Sequence, residues 1–247
     1  MYDKAIKSFL NKSNFFSIDL KAVLFDMDGV LFDSMPLHVI AWTRTFREMG
    51  LYFTEEEAYL HEGRTGSGTI NIVYQREFGR NATQEEVELI YSKKSVLFDS
   101  LPEASVMPGS LEILNHIKED GLKRILVTGS GQKALLSKMN LLFPGHFTRD
   151  KMVTAYDVKK GKPDPEPYLQ GLLKAGVNAN QAIVVENAPL GIESAKAAGI
   201  FTVGVNTGLL SDHYLKDAGA DILFESMPAL FDSWPKLLQS IRTTKNN

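Results

Sequence analysis

Six short apolar runs punctuate the chain: "AVLFDM" from Ala22, "RILVTGS" from Arg124, "KMVTA" from Lys151, "AIVVEN" from Ala182, "FTVGVN" from Phe201 and "DILFE" from Asp221. Each is rich in β-branched or aromatic residues and ends in polar residues or glycine, the pattern of a buried strand. Between the later runs lie helical patterns such as "GSLEILNHIKEDG" and "APLGIESAKAAG". Strands alternating with helices of this length predict an α/β fold built on a doubly wound parallel sheet, covered on both faces. In such sheets the ligand site lies beyond the carboxyl ends of the strands.

The first two runs break this rhythm. From residue 35 to about 105 the chain holds only amphipathic stretches: "LHVIAWTRTFREMG", "EEEAYLHE", "TINIVYQREFG" and "QEEVELIYSKKSVLFDSL". They predict a small α-helical cap domain at 35–105, inserted after the first strand of a core made of 20–34 and 106–247. Residues 1–19, whose apolar positions are interrupted by Lys and Asn, predict a short helical extension.

Composition narrows the function classes. With 247 residues, 44% of them hydrophobic, the chain can bury one large core plus a smaller one, and it is expected to fold alone as a monomer. Lys and Arg number 27 against 30 Asp and Glu, without a long single-sign run, which argues against a nucleic-acid partner. The absence of cysteine removes disulfides, thiolate nucleophiles and cysteine-based zinc sites together, and it fits a reducing compartment. The histidines show no metal-binding spacing. The N-terminus lacks a small-residue cleavage site and no window approaches a membrane span, so the expectation is a cytoplasmic protein with no membrane partner.

If the sheet is parallel, its carboxyl edge collects Asp26 and Asp28, Thr128 with Gly129 and Ser130, and Glu186 with Asn187; Lys162, after another strand, can join them. Carboxylates and a lysine gathered there are costly unless a divalent ion or a bound anion balances the charge. Mg2+ with a phosphate does both, since Mg2+ takes hard oxygen ligands, waters and substrate phosphate. The Thr128 hydroxyl, the "TGSG" amides and the Lys162 ammonium can hold phosphate oxygens.

The set "DMDGVLFDS", "VTGS", "KKGKPDPEPY" and "VVENAPLG", in that order, resembles the four motifs of the haloacid dehalogenase superfamily, specifically its phosphotransferases with a helical cap inserted after the first strand. The resemblance runs from about residue 20 to about 240. It implies a small phosphorylated substrate, a nucleophile, Asp26, that becomes an aspartyl phosphate, and an acid and base, Asp28. It also implies Mg2+ held by Asp26, Asp28, Glu186 and Asn187. A metal offsets the charge that keeps a carboxylate from attacking a phosphate, and covalent capture splits one hard transfer in two.

"DSMPLHVIAWTRTFREMG" looks like β-phosphoglucomutase and its close relatives, with His38 and Trp42 on the first cap helix. Their i, i+4 spacing is ordinarily explained by packing; His38 is also a candidate hinge or cap-closure contact. The cap loop "LHEGRTGSG" departs from the mutase. Glu62 and Gly66 stand where that enzyme has the lysine and arginine that hold a distal phosphate, while Gly63, Arg64 and Thr65 lie between them and Lys93 falls near a cap lysine of the mutase. The loop and "VVENAPLG" look closest to a branch that hydrolyses inorganic pyrophosphate, the leading substrate here, with sugar phosphates next. Asn187 replaces the mutase aspartate; it can also act as a helix N-cap, and Glu62 is a candidate for supplying the missing charge through the cap. A phosphomutase is the alternative enzyme, and a non-catalytic binding module on the same fold the alternative outside enzymes.

Overall fold

The computed structural model describes residues 2–246. Helix α1 (Asp3–Ser13) leads into β1 (Ala22–Phe25), then a two-residue strand β2 (Phe32–Asp33) and four helices, α2 (Met35–Glu48), α3 (Glu55–Leu60), α4 (Gly66–Phe78) and α5 (Gln84–Ser100). After β3 (Ser105–Val106), strands and helices alternate: α6 (Ser110–Glu119), β4 (Lys123–Val127), α7 (Lys133–Leu142), β5 (Met152–Val153), α8 (Glu166–Ala175) and β6 (Ala182–Glu186). The chain ends with α9 (Pro189–Ala197), β7 (Phe201–Val205), α10 (Asp212–Asp217), β8 (Ile222–Phe224) and α11 (Met227–Thr243).

All six apolar runs form one parallel sheet in the order β5-β4-β1-β6-β7-β8. The strand order reverses beside β1, which places the crevice of a doubly wound sheet at its carboxyl end, where Asp26 begins. Alternation along β1 feeds two cores. Val23 and Phe25 pack with α1, α6, α7 and α11, whereas Ala22 and Leu24 pack with α8 and α9.

Helix α1 is no loose appendage: Ile6, Phe9 and Leu10 join the larger core, and Phe9 meets Phe201 edge-to-face at 5.3 Å.

The four helices α2–α5 bury their own cluster around Trp42, Phe46, Phe53, Tyr59, Val73 and Ile90. Helices α3 and α5 start at capping boxes, Thr54 with Glu57 and Thr83 with Glu86, which fixes where the chain turns. The short pair β2–β3, antiparallel and unanticipated from the pattern, ties together the two crossings between this cluster and the sheet. Among the described residues no helix is long and apolar enough to cross a membrane.

Truncating Phe9 to alanine is expected to destabilise the fold by about 3–5 kcal/mol, as buried aromatic truncations do. Urea unfolding measures it; a loss of only a few tenths would make α1 dispensable.

Candidate active site

The carboxyl edge of the sheet gathers Asp26, Asp28, Thr128, Lys162, Glu186 and Asn187, all buried. Asp26 follows β1 directly and Glu186 closes the neighbouring β6. Lys162 reaches between them, its ammonium 2.5 Å from Asp26 Oδ1 and 2.7 Å from Glu186 Oε1, and it donates a third bond to the Val127 carbonyl. One cation therefore serves two carboxylates. Burial first, then the charges of Glu186 and Asp28, push Asp26 up to about 8 despite Lys162.

Glu186 is saturated by the protein: Oε1 accepts from Lys162 and the Tyr168 hydroxyl, Oε2 from the Asn187 and Ala188 amides. The carboxylate expected to ligate a metal also fixes Lys162 and the turn that carries Asn187. That turn does not use Asn187 as a helix cap. Ala188 is the N-cap of α9, and the Asn187 amide points across the site to donate to Glu62 at 2.7 Å.

Glu62, just beyond α3, roofs the site. It is buried, and desolvation first, then the charges of Asp26, Glu186 and Asp28, drive it well above the ordinary glutamate range even though Asn187 donates to it. Gly63 follows in a left-handed conformation and brings its carbonyl against Gly129, where an added Cβ would lie 2.1 Å from the Gly63 oxygen. Only glycine at 129 permits this approach. Thr65 caps α4 through the Gly68 amide, a structural duty, while Arg64 lines the chamber with its Nε buried and unpartnered. At the facing β4–α7 turn Thr128 Oγ1 accepts from the Ser130 amide, at 2.9 Å.

Asp28 faces the helical cluster. Its Oδ1 accepts from Ser34 Oγ at 2.6 Å and pairs with His38 Nε2 at 3.0 Å; His38 Nδ1 lies 2.8 Å from Lys94 Nζ. An ammonium only donates, so the network assigns His38 as the neutral tautomer with its proton on Nε2. Burial and Lys94 depress the His38 pKa to match. Burial pushes Asp28 up, but His38, Ser34 and Lys94 together outweigh it and hold the carboxyl below its ordinary range. Burial brings Lys94 down to about 7, with Trp42 and Phe98 rings 5.2 and 4.8 Å from its ammonium.

The lysine expected over the site was Lys93, and the structure corrects this by one residue. Lys93 is exposed and Lys94 buried, since successive helical positions turn by about 100°. Ser34 and Lys94 were invisible in the sequence: serine opening a helix reads as a cap, and Lys94 is 56 residues from His38.

Among the described residues no three His, Cys, Asp or Glu side chains form a ready-made metal cluster. A mixed oxygen set does fit a hard cation: the Asp26 carboxylate, a backbone carbonyl in its turn, and Asn187 Oδ1, which is buried without any hydrogen-bond partner.

Residues 23–205 match the family described as haloacid dehalogenase-like hydrolase. The chain belongs to that family. It is 30% identical over 187 residues to hexitol phosphatase A of Escherichia coli, covering 75% of this chain and 83% of that protein. It is 32% identical over 202 residues to a phosphorylated carbohydrates phosphatase of Thermotoga maritima, covering 81% and 92%. A solved Bacteroides vulgatus structure provisionally named β-phosphoglucomutase is 52% identical, covers 98% of each chain and superposes with a TM-score of 0.95. The protein is thus an enzyme of the phosphatase and phosphoglucomutase group, acting on phosphorylated sugars or metabolites.

The Asp26 carboxyl holds its proton to about pH 8 in the native chain but releases it near pH 4 when unfolded, as ordinary carboxylates do. The native state binds more protons in that window, so this group's contribution to stability is lost as pH rises through it. In EDTA, Asp26→Asn is expected to stabilise the protein at pH 8 by roughly 1–3 kcal/mol and to change little at pH 4.5. Melting curves at both pH values check it; a less stable variant at pH 8 would contradict the charge imbalance.

Proposed function

We propose that the protein is a Mg2+-dependent phosphohydrolase whose substrate is inorganic pyrophosphate. The observation that carries this reading is Glu62 meeting Asn187 over Asp26: a carboxylate occupies the roof where a sugar bisphosphate needs a basic clamp. The chamber beneath, of about 50 Å³, is lined by Asp26, Asp28, His38, Arg64, Lys94 and Thr128 among others, so cations and carboxylates face one small polar space.

Phosphatases of this family generally use Mg2+, and the oxygen set of Asp26, the Asp28 carbonyl and Asn187 would hold it. When bound, the ion supplies the positive charge that lets a carboxylate approach a phosphoryl group. Asp26 attacks one phosphorus of pyrophosphate as the bridging P–O bond breaks and the first phosphate leaves; water then attacks the aspartyl phosphate, releasing the second phosphate and restoring the carboxylate. Lys162 holds Asp26 in line, and the Thr128 hydroxyl, braced by the Ser130 amide, receives phosphoryl oxygens together with the Gly129 amide. Asp28 draws a proton from the attacking water, oriented by Ser34 and His38. Its lowered pKa suits this substrate, because a departing phosphate is already a stable anion whereas a departing sugar alkoxide demands a proton. Arg64 and Lys94 offset the charge of the second phosphate.

β-Phosphoglucomutase remains the second reading, favoured by the Bacteroides vulgatus relative's provisional name and by the intact core residues. A Mg2+-supported assay with pyrophosphate and with β-glucose 1-phosphate separates them. The expected result is a kcat/KM at least about 100-fold higher for pyrophosphate and no glucose 6-phosphate even with a bisphosphate primer; efficient glucose 6-phosphate formation would establish the mutase. Lys94 loses its charge as pH rises through about 7, so kcat/KM should fall on that limb. Lys94→Met is expected to be about 10- to 100-fold slower with a flatter basic limb; an unchanged limb would exclude Lys94 as its source.

A further inference from the structure

The loop from Asn206 to Ser211, between β7 and α10, touches both halves of the site although no motif marks it. Thr207 Oγ1 donates to the Gly29 carbonyl at 2.6 Å, across 178 residues. Gly29 follows Asp28 in the turn, with φ +77°, its amide held by the Phe32 carbonyl at 2.8 Å and its Cα so close to Asn187 that a Cβ would lie 2.0 Å from Nδ2. The Thr207 hydroxyl is thus a side-chain anchor on a turn whose geometry sets where Asp28 points.

The same loop reaches the helical cluster. Its backbone at Gly208 lies against Tyr59, with an added Cβ 3.4 Å from the ring, and Leu210 packs into the apolar cluster whose other described members all lie between Met35 and Tyr91. Asn206 braces the loop by donating to the Leu210 carbonyl at 3.0 Å and to Asp212 at 2.8 Å. Tyr59 in turn accepts the Glu62 amide through its carbonyl at 3.2 Å. A cavity of about 130 Å³, lined by Gly29, Asp33, Met35, Tyr59, Thr207 and Gly208, lies where the loop, the turn and α3 meet.

We propose that Thr207 is a positioning residue for Asp28, and that the 207–210 loop makes this positioning depend on how α3 is seated. When Tyr59 and Leu210 are packed, the loop holds the Gly29 carbonyl and Asp28 faces Ser34 and His38. When α3 lifts, the loop loses its apolar partner and the anchor on Gly29 loosens. Acid–base competence then follows closure of the roof that carries Glu62. The inference rests on the reading of Asp28 as the acid and base.

The test uses the full chain with Thr207→Val, Thr207→Ser and Leu210→Ala. Thr207→Val keeps shape but removes the donor; kcat for pyrophosphate is expected to fall about tenfold or more with KM within about threefold, and Thr207→Ser to restore kcat to within about threefold. Amide hydrogen exchange, which needs no substrate, is expected to speed up at least about fivefold in Leu210→Ala at both α3 and the Gly29 amide. A serine variant as slow as the valine one, or faster exchange in α3 without a change at Gly29, would overturn the proposal. Absent pyrophosphate turnover with coupled exchange would remove the substrate reading and leave the coupling standing. Turnover with uncoupled exchange would do the reverse.

Discussion

The site is organised around one shared ammonium. Lys162 is the cation bonded to both Asp26 and Glu186, and Asp28 and Glu62 bring two more carboxyl groups into the same buried space. Burying unbalanced charge is expensive, and such a cluster persists only where the surrounding structure over-determines it. Here the cost is lodged on Asp26 and Glu62, both pushed towards their protonated forms, while Glu186 is satisfied by four protein donors. A cation and a phosphoryl group are the kinds of partner that would offset this concentration of carboxyl groups.

The sheet makes this concentration of charge possible. Parallel strands deliver Asp26, Thr128 and Glu186 to one edge, and the reversal of strand order at β1 opens the crevice there. The helical cluster supplies a second wall, with Glu62 over Asn187 and the Lys94–His38 pair over Asp28. The two walls differ in electrostatic character. The core wall is acidic apart from Lys162, while the roof mixes one acid with Arg64 and Lys94.

The strands and the buried motif residues were legible in the sequence because a parallel sheet has a strong signature and because four motifs recur in order at the ends of its strands. All six runs became strands, and Asp26, Asp28, Thr128, Lys162, Glu186 and Asn187 converge. What stayed hidden depends on tertiary geometry. Lys93 and Lys94 are adjacent and alike, and only the rotation of α5 decides which one is buried. Glu186 was legible as a buried acid at a strand end, but its bonds to Lys162, Tyr168 and two amides are set by packing. Asn187 could have capped α9, but the turn aims it at Glu62. The Thr207 anchor spans 178 residues and leaves no local trace. The two-residue pair β2–β3 is too short to produce an alternation.

The proposed reaction depends on Asp26 acting as a covalent nucleophile despite its place among other carboxylates. The most direct measurement is acid quenching of the enzyme during turnover of pyrophosphate with Mg2+, followed by mass spectrometry of the peptide that contains Asp26. The account predicts a phosphorylated carboxylate on Asp26 that is absent from Asp26→Asn. Turnover at full rate with Asp26→Asn, or a phosphoryl group trapped on another residue, would contradict it.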